Sequence, residues 1–141
     1  MDSPAIHPRP SHVRVCVSAV VVRGGCVLLL RRGPGAPFGI GDWHCPSGGG
    51  VEPGDRSLVV AAARELREET GLTGQRGRVV AHVDGLDSER PFVSFLVRFA
   101  DVAGSVDLTD PASDTYAWWS VDKLPENTWD RDLLAEVLRG Q

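Results

Sequence analysis

The segment RELREETGL, residues 64–72, constrains the fold of this chain more than any other. It carries three carboxylates within five residues and has a glycine near its end. Residues three and four positions apart share one face of a helix, so Glu65, Glu68 and Glu69 project together. Glycine is the commonest residue just past a helix C-terminus. The segment therefore predicts the final turns of a helix that has an acidic face and ends at Gly71.

The acidic face has two interpretations. Glu65 and Glu69 are like charges one turn apart, an arrangement that costs a few tenths of a kcal/mol. Arg64 and Arg67 offset part of this repulsion, and a divalent cation would offset more, because magnesium prefers clustered carboxylate oxygens. The other interpretation is a solvated face of charged side chains. These residues alone leave both open.

Composition narrows the class of protein. The chain has 141 residues, enough for one domain with a core. It is 42% hydrophobic and 24% charged, as soluble globular proteins are. The net charge of −4 comes without a basic block, so we expect no nucleic acid polymer as partner. No apolar run reaches membrane-spanning length, so we expect no membrane partner.

The N-terminus and the cysteines indicate a cytoplasmic protein. Residues 1–12 contain three prolines and no secretory signal, which predicts a flexible tail before a domain at 13–141. Cys16, Cys26 and Cys45 are odd in number and have no CxxC spacing. We predict that they are reduced and buried as small apolar residues, and that Cys45 is not a nucleophile.

The order of predicted elements indicates an α/β fold. Patterns of β-branched and alternating apolar residues predict strands at 13–22, 26–32, 43–45, 77–84, 91–100 and 116–121. Helices are predicted at 57–70, with Asp55 or Ser57 as its cap, and at 130–139. This order favours an α/β/α sandwich with a mixed β-sheet. Trp118 and Trp119 are adjacent on a strand, so we expect one to face in and one out.

Joined to the glycine-rich loop before the helix, residues 48–72 resemble the Nudix box, G-x5-E-x7-R-E-U-x-E-E-x-G-U, where U is aliphatic. The second half of that pattern is matched in full by Arg64, Glu65, Leu66, Glu68, Glu69, Gly71 and Leu72. Trp43, Pro46 and the glycines after them are similar to the W-x-x-P-x-G-G segment of MutT-like members. The resemblance extends over residues 13–139 in length and strand order.

The first half of the box departs from the pattern. If Gly49 is the first glycine, Asp55 takes the position of the family's glutamate, and eight residues separate it from Arg64 in place of seven. If Gly50 is the first glycine, the spacing is restored but Arg56 takes the glutamate position. We prefer the Asp55 alignment, with one extra residue where the helix begins.

The resemblance implies magnesium-dependent hydrolysis of a nucleoside diphosphate linked to a group X, with manganese as the alternative ion. A MutT-like member would convert a (d)NTP, ordinary or oxidised, to a nucleoside monophosphate and pyrophosphate. One alternative is a pyrophosphatase for nucleotide sugars or ADP-ribose. Another is a Nudix domain that binds a nucleotide as a sensor without hydrolysis. The oligomeric state, monomer or homodimer, stays open.

The resemblance also implies roles for the residues of the box. Metal ligands would be Glu65, Glu68, Glu69 and the backbone carbonyl around Gly49. Glu65 would be a ligand or the general base, and Arg64 would orient a glutamate through a charge-assisted bond. We count Arg64, Glu65 and Glu69 as the catalytic residues. An acid outside the box serves as base in many members. The candidates here are Asp101 first, then Asp107, Asp110 and Asp114.

Four further residues are candidates for binding substrate. Arg31 and Arg32 end the second long strand, where related enzymes bind a phosphate through an arginine. The alternative is a pair of surface charges. Asn127 would read a base edge and Trp129 would stack on it. The alternative for Trp129 is a core or cap residue of the last helix. His44 and His82 have no second ligand at metal spacing, so we expect ordinary surface or core histidines.

Overall fold

A computed structural model describes residues 12–46 and 49–140. Its elements are β1 Arg14–Val20, β2 Val22–Arg23, β3 Cys26–Arg32, β4 Trp43–His44, β5 Gly49–Gly50, α1 Leu58–Thr70, β6 Thr73–Asp84, β7 Phe92–Ala103, β8 Ser113–Ser120 and α2 Arg131–Arg139. Residues 1–11 of the predicted tail lie outside the described residues. Among the described helices, neither is long and apolar enough to cross a membrane.

The strands form two four-stranded sheets. The first has the order β5-β1-β7-β6, and the second joins β2, β3, β4 and β8 around β3. Only the pairing of β1 with β7 is parallel among the described pairings, and the others are antiparallel. This parallel pair makes the first sheet mixed, as the order of elements predicted.

Each sheet contributes to two hydrophobic cores because side chains alternate along a strand. The core under α1 contains Leu66 of the helix together with Val17, Leu28, Leu30 and Val97 of the strands. The core under α2 contains Leu134 and Leu138 together with Val20, Val27, Leu29 and Leu96. The strand layer therefore lies between two helices, and the predicted α/β/α sandwich is confirmed.

Several expectations about strands are wrong in detail. The predicted strand 13–22 is divided into β1 and β2, β5 is an additional strand, β7 continues to Ala103, and β8 begins at Ser113. β6 begins at Thr73 and not at residue 77. The Phe99 ring lies directly against Gly74 and Gly77, where an added Cβ would be 2.7 Å from it. The bare glycine backbone lets that ring lie against the strand and extends the pairing with β7. Trp118 packs on the first core and Trp119 on the second, so neither is the outward residue.

Candidate active site

Helix α1 holds the acidic residues against the first sheet. It begins after Ser57, whose hydroxyl accepts a hydrogen bond from the Val60 N–H at 3.1 Å. It ends at Gly71, whose φ of 77° is left-handed and whose N–H donates to the Arg67 carbonyl at 2.8 Å. Of the two predicted caps the structure uses Ser57 and not Asp55, and Gly71 ends the helix as predicted.

The apolar side of α1 determines where its carboxylates lie. Ala61 and Ala62 are buried and small, so the helix lies close to the strands. Glu65 and Glu69 are 7% and 4% exposed, whereas Glu68 is exposed. Two of the three carboxylates are thus at the boundary between the helix and the sheet, where a negative charge needs compensation.

Arg64 is the cation at the centre of this cluster. Its Nη1 lies 3.0 Å from Glu65 Oε1, 3.2 Å from Glu68 Oε2 and 3.4 Å from Glu52 Oε1. Its Nε and Nη2 donate to the two carboxylate oxygens of Asp55 at 3.0 and 2.8 Å. The planar guanidinium donates in several directions at once, which a lysine ammonium on a flexible stem does less well.

Asp55, which the first alignment sets at the position of the box glutamate, is the bidentate partner of Arg64. Besides the two bonds from Arg64, one of its oxygens accepts the Glu52 N–H at 2.7 Å. The hydrogen bonds from Arg64 and Glu52 lower the pKa of Asp55 to about 2. Arg56, the rival in the other alignment, is exposed. The geometry favours the Asp55 alignment, and the extra residue is accommodated before the helix begins.

Gly49 passes close to the acidic cluster. It pairs with Val17 of β1 and has a φ of 149°, a conformation that residues with a side chain rarely adopt. A Cβ at this position would lie 4.0 Å from Glu65 Oε1. The backbone of β5 is therefore beside the buried carboxylate, as a ligand carbonyl from this segment would need to be.

The donor set fits a hard divalent cation. Burial raises the pKa of Glu65, the bond from Arg64 opposes this shift, and the negative charges of Glu68 and Glu52 add to it. Because a single arginine faces several carboxylates, the cluster keeps a net negative charge. Within residues 12–46 and 49–140, no three acidic, histidine or cysteine side chains are already grouped as a metal site. Two of the glutamates are instead paired with Arg64.

Arg31 and Arg32 have different partners. Arg31 donates Nε and Nη2 to the two carboxylate oxygens of Asp114 at 3.3 and 3.0 Å. Arg32 donates Nε to the Phe38 carbonyl at 3.2 Å. Its guanidinium lies over the rings of Phe38 and Trp129. Arg31 is thus paired with a carboxylate, whereas Arg32 packs against two aromatic rings.

Asn127 and Trp129 are both tied to the loop between β3 and β4. The Asn127 amide donates to the Gly41 carbonyl at 2.9 Å, and the Trp129 indole N–H donates to Asp42 at 3.0 Å. Trp129 also stacks on His44 with ring centroids 5.0 Å apart. Trp129 is therefore a half-buried packing residue in this conformation, and it is neither fully buried in the core nor the N-cap of α2, which is Asp130.

The candidate acids outside the box lie in different places. Asp101 is exposed and pairs with Arg76 at 2.6 Å; no contact between described residues joins it to the box glutamates. Thr109 donates its hydroxyl to the Glu68 carbonyl at 2.6 Å, which brings the neighbouring Asp110 towards the acidic helix. Asp107 donates its N–H to Thr70 at the helix end, and Asp114 binds Arg31.

A cavity beside Trp129 contains residues that the sequence did not single out. Its volume is about 40 Å³, and it is lined by Ser18, His44, Cys45, Leu96, Trp129, Asp130 and Leu134. Burial raises the pKa of Asp130. No motif identifies this residue; the one sequence signal was its position directly after Trp129.

The histidine and cysteine predictions are confirmed in part. His44 is buried, and its Nδ1 donates to the Cys45 carbonyl at 2.7 Å; His82 is exposed. Burial lowers the pKa of His44, and the hydrogen bond to the Cys45 carbonyl opposes this shift. The positive charge of Arg32 lowers the pKa further, whereas the negative charge of Asp110 raises it. Burial raises the pKa of the Cys45 thiol to about 12, so it holds its proton. All three cysteines are free, but Cys16 and Cys26 are only half-buried.

Comparison with known proteins agrees with this geometry. A sequence model of the NUDIX domain matches residues 11–137. The nucleoside triphosphatase NudI of Salmonella newport (strain SL254) is 29% identical over 122 residues, covering 79% of this chain and 84% of that protein.

The fold of this chain is also similar to solved MutT structures. A MutT NUDIX hydrolase from Burkholderia pseudomallei superposes with a TM-score of 0.77 at 25% identity, covering 89% of this chain and 98% of the other. The MutT protein from Methanosarcina mazei Go1 gives a TM-score of 0.74 at 30% identity, covering 91% and 94%.

The fold and the acidic helix define a hydrolase of phosphoric anhydrides, and the chain belongs to the Nudix family. Among Nudix proteins it is MutT-like. Nudix hydrolases use divalent metal ions, in agreement with the surplus of carboxylates around Arg64.

Proposed function

We propose that this protein hydrolyses a nucleoside triphosphate, ordinary or oxidised, to a nucleoside monophosphate and pyrophosphate. The observation that carries the proposal is the acidic face of α1, on which Arg64 pairs with Glu65 and Glu68 and the Gly49 backbone lies beside Glu65. The NudI relative is a nucleoside triphosphatase by name, which favours this substrate class over ADP-ribose or a nucleotide sugar.

Glu65, Glu68, Glu69 and the carbonyl of Gly49 would hold magnesium, or manganese in its place. When bound, the ion neutralises diphosphate charge and makes water a stronger nucleophile. Arg64 fixes the orientation of Glu65 and Glu68. Glu65 or Glu69 accepts the proton that the attacking water loses, and burial at the helix boundary keeps bulk water away from that carboxylate.

The small cavity beside Trp129 marks the candidate site for the base, and it would have to widen from about 40 Å³ to admit one. It combines apolar walls at Leu96 and Leu134 with polar groups at Ser18, His44 and Asp130. Ligand sites commonly pair an apolar wall with a few polar groups that fix orientation. Trp129 lines the cavity, and Asn127, two residues before it, is bound to the same β3–β4 loop.

The test is turnover on a panel of nucleoside triphosphates, oxidised nucleotides, ADP-ribose and nucleotide sugars with magnesium, the products being identified. We expect monophosphate and pyrophosphate from a triphosphate, and a loss of at least a hundredfold in kcat for Glu69→Gln, typical of losing a major electrostatic group. Glu136→Gln, on the exposed side of α2, is the matched control.

Three results would count against the proposal. Cleavage of ADP-ribose alone would reassign the substrate. Binding of a nucleotide without turnover would indicate a sensor, the reading that the three intact box glutamates disfavour. Full activity in Glu69→Gln would remove this carboxylate from the reaction.

A further inference from the structure

The two arginines at the end of β3 differ in how much donor capacity they have left. Arg31 is paired with Asp114 through two bonds. Arg32 uses only Nε, which donates to the Phe38 carbonyl. Within residues 12–46 and 49–140, the terminal amino groups of Arg32 donate to no protein acceptor. Arg32 therefore keeps two adjacent donor groups for an anion, and Arg31 does not.

Aromatic faces hold the Arg32 guanidinium in place. Its central carbon lies 4.8 Å from the centroid of Phe38 and 5.1 Å from that of Trp129. The two rings are stacked, 5.7 Å apart with planes 7° from parallel. A guanidinium over an aromatic face is attracted by the ring quadrupole and keeps its edge donors available.

Phe38 is 64% exposed, an unfavourable position for an aromatic hydrocarbon that has no other task. Its loop is nevertheless well fixed by backbone bonds. The Gly41 N–H donates to the Arg32 carbonyl at 2.7 Å, and the Asp42 N–H donates to the Gly39 carbonyl at 2.9 Å. The structure thus retains an exposed ring against Arg32.

The Arg32 cluster lies close to the acidic helix. Arg32 lies over Trp129, which stacks on His44, and Gly33, the residue after Arg32, donates its N–H to the Ala112 carbonyl at 2.9 Å. Thr109, next to Asp110, is bonded to the carbonyl of Glu68. The unused terminal donors of Arg32 suit an anionic group, and a phosphate of a substrate bound at the acidic helix is such a group.

We infer that Phe38 is a positioning residue that fixes the Arg32 guanidinium for a phosphate group of the substrate. The inference rests on the proposed function for its substrate. Phe38 itself acts through Arg32, by its carbonyl and by its ring face. Because the ring contributes through its π-system, an aliphatic side chain of similar size should not replace it.

The experiment compares wild type with Phe38→Leu, Phe38→Tyr, Arg32→Ala and the double variant Phe38→Leu/Arg32→Ala. Affinity for inorganic pyrophosphate with calcium is measured by calorimetry, and kcat and KM are measured on the best triphosphate with magnesium. We expect Phe38→Leu to weaken binding and raise KM roughly three- to tenfold, the range of a cation–π contact. We expect kcat within about twofold of wild type, because the glutamates are untouched.

The controls decide whether Phe38 acts through Arg32. Phe38→Tyr should restore wild-type affinity, and the double variant should bind no more weakly than Arg32→Ala. Wild-type affinity in Phe38→Leu, or additive losses in the double variant, would overturn the inference. So would wild-type protein binding pyrophosphate no better than Arg32→Ala. Normal pyrophosphate binding without turnover of any nucleotide would instead count against the proposed function, and the affinities would still decide the role of Phe38.

Discussion

Arg64 is the residue on which the arrangement of the acidic cluster depends. It lies within 3.4 Å of carboxylate oxygens from Glu52, Asp55, Glu65 and Glu68. Both oxygens of Asp55 accept hydrogen bonds from Nε and Nη2 of Arg64. The remaining amino group, Nη1, is therefore directed at the helix glutamates. Asp55 thus orients Arg64 towards the helix carboxylates without belonging to them.

The Asp55–Arg64 pair should make stability depend on pH in a defined window. The folded pKa of Asp55 is about 2, below its ordinary value of 3.8. A lowered carboxyl pKa stabilises the fold above pH 3.8, and that contribution is lost as the pH falls towards 2. We expect Asp55→Asn to unfold at lower urea than wild type at pH 7, and the difference to shrink through this window.

The control is Asp101→Asn, which removes another arginine-paired aspartate. Asp101 and Arg76 are largely exposed, so that substitution should change the urea midpoint little at any of these pH values. A stability difference for Asp55→Asn that stayed constant from pH 7 to pH 2 would contradict the role given to the Asp55 carboxylate.

At the scale of elements, the ends of α1 set the orientation of its acidic face. Ser57 and Gly71 terminate the helix by local hydrogen bonds, so these boundaries follow from neighbouring residues. β6 differs because glycines are unfavourable in strands, and its first residues pair only because Phe99 of β7 covers Gly74 and Gly77. That contact joins distant segments, and a local pattern does not predict it.

Replacing Gly71 by alanine should destabilise the protein by about 1–2 kcal/mol, the cost of a left-handed conformation for an L-residue. A Cβ at Gly71 would meet only ordinary contacts, the nearest being Ser105 O at 3.7 Å, so strain in the backbone is the whole effect. Urea denaturation of Gly71→Ala measures it.

Gly54→Ala is the matched control, because a Cβ at Gly54 meets nothing within 4 Å and needs no positive φ. We expect its stability to lie within about 0.5 kcal/mol of wild type. Equal stability of the two variants would mean that the C-terminal turn of α1 can change conformation freely.

At the scale of the whole molecule, the strand layer supplies both cores, one on each of its faces. Leu29 and Leu30 are neighbours in β3, yet Leu30 packs under α1 and Leu29 under α2. The acidic helix is fixed on one face of the layer, and the cavity beside Trp129 lies towards α2. A nucleotide that extends from one to the other would contact both halves of the sandwich.

Metal binding should therefore stabilise the whole fold. A ligand that binds only the folded state at a hundred times its Kd adds about 2.7 kcal/mol of stability. We expect magnesium to raise the melting temperature of the wild-type protein, and EDTA to reverse the shift. Glu69→Gln should show a smaller shift, whereas Glu136→Gln should match wild type. An equal shift in Glu69→Gln would place the ion elsewhere.

The sequence by itself determined the acidic helix, its two ends and the family, because these depend on residues within a few turns of one another. The tertiary structure decided which alignment of the box applies, since only the folded chain brings Asp55 and not Arg56 to Arg64. It also separated Arg31 from Arg32, through Asp114 and Phe38. These outcomes depend on contacts between residues that lie apart in the chain, and side-chain type alone does not specify such contacts.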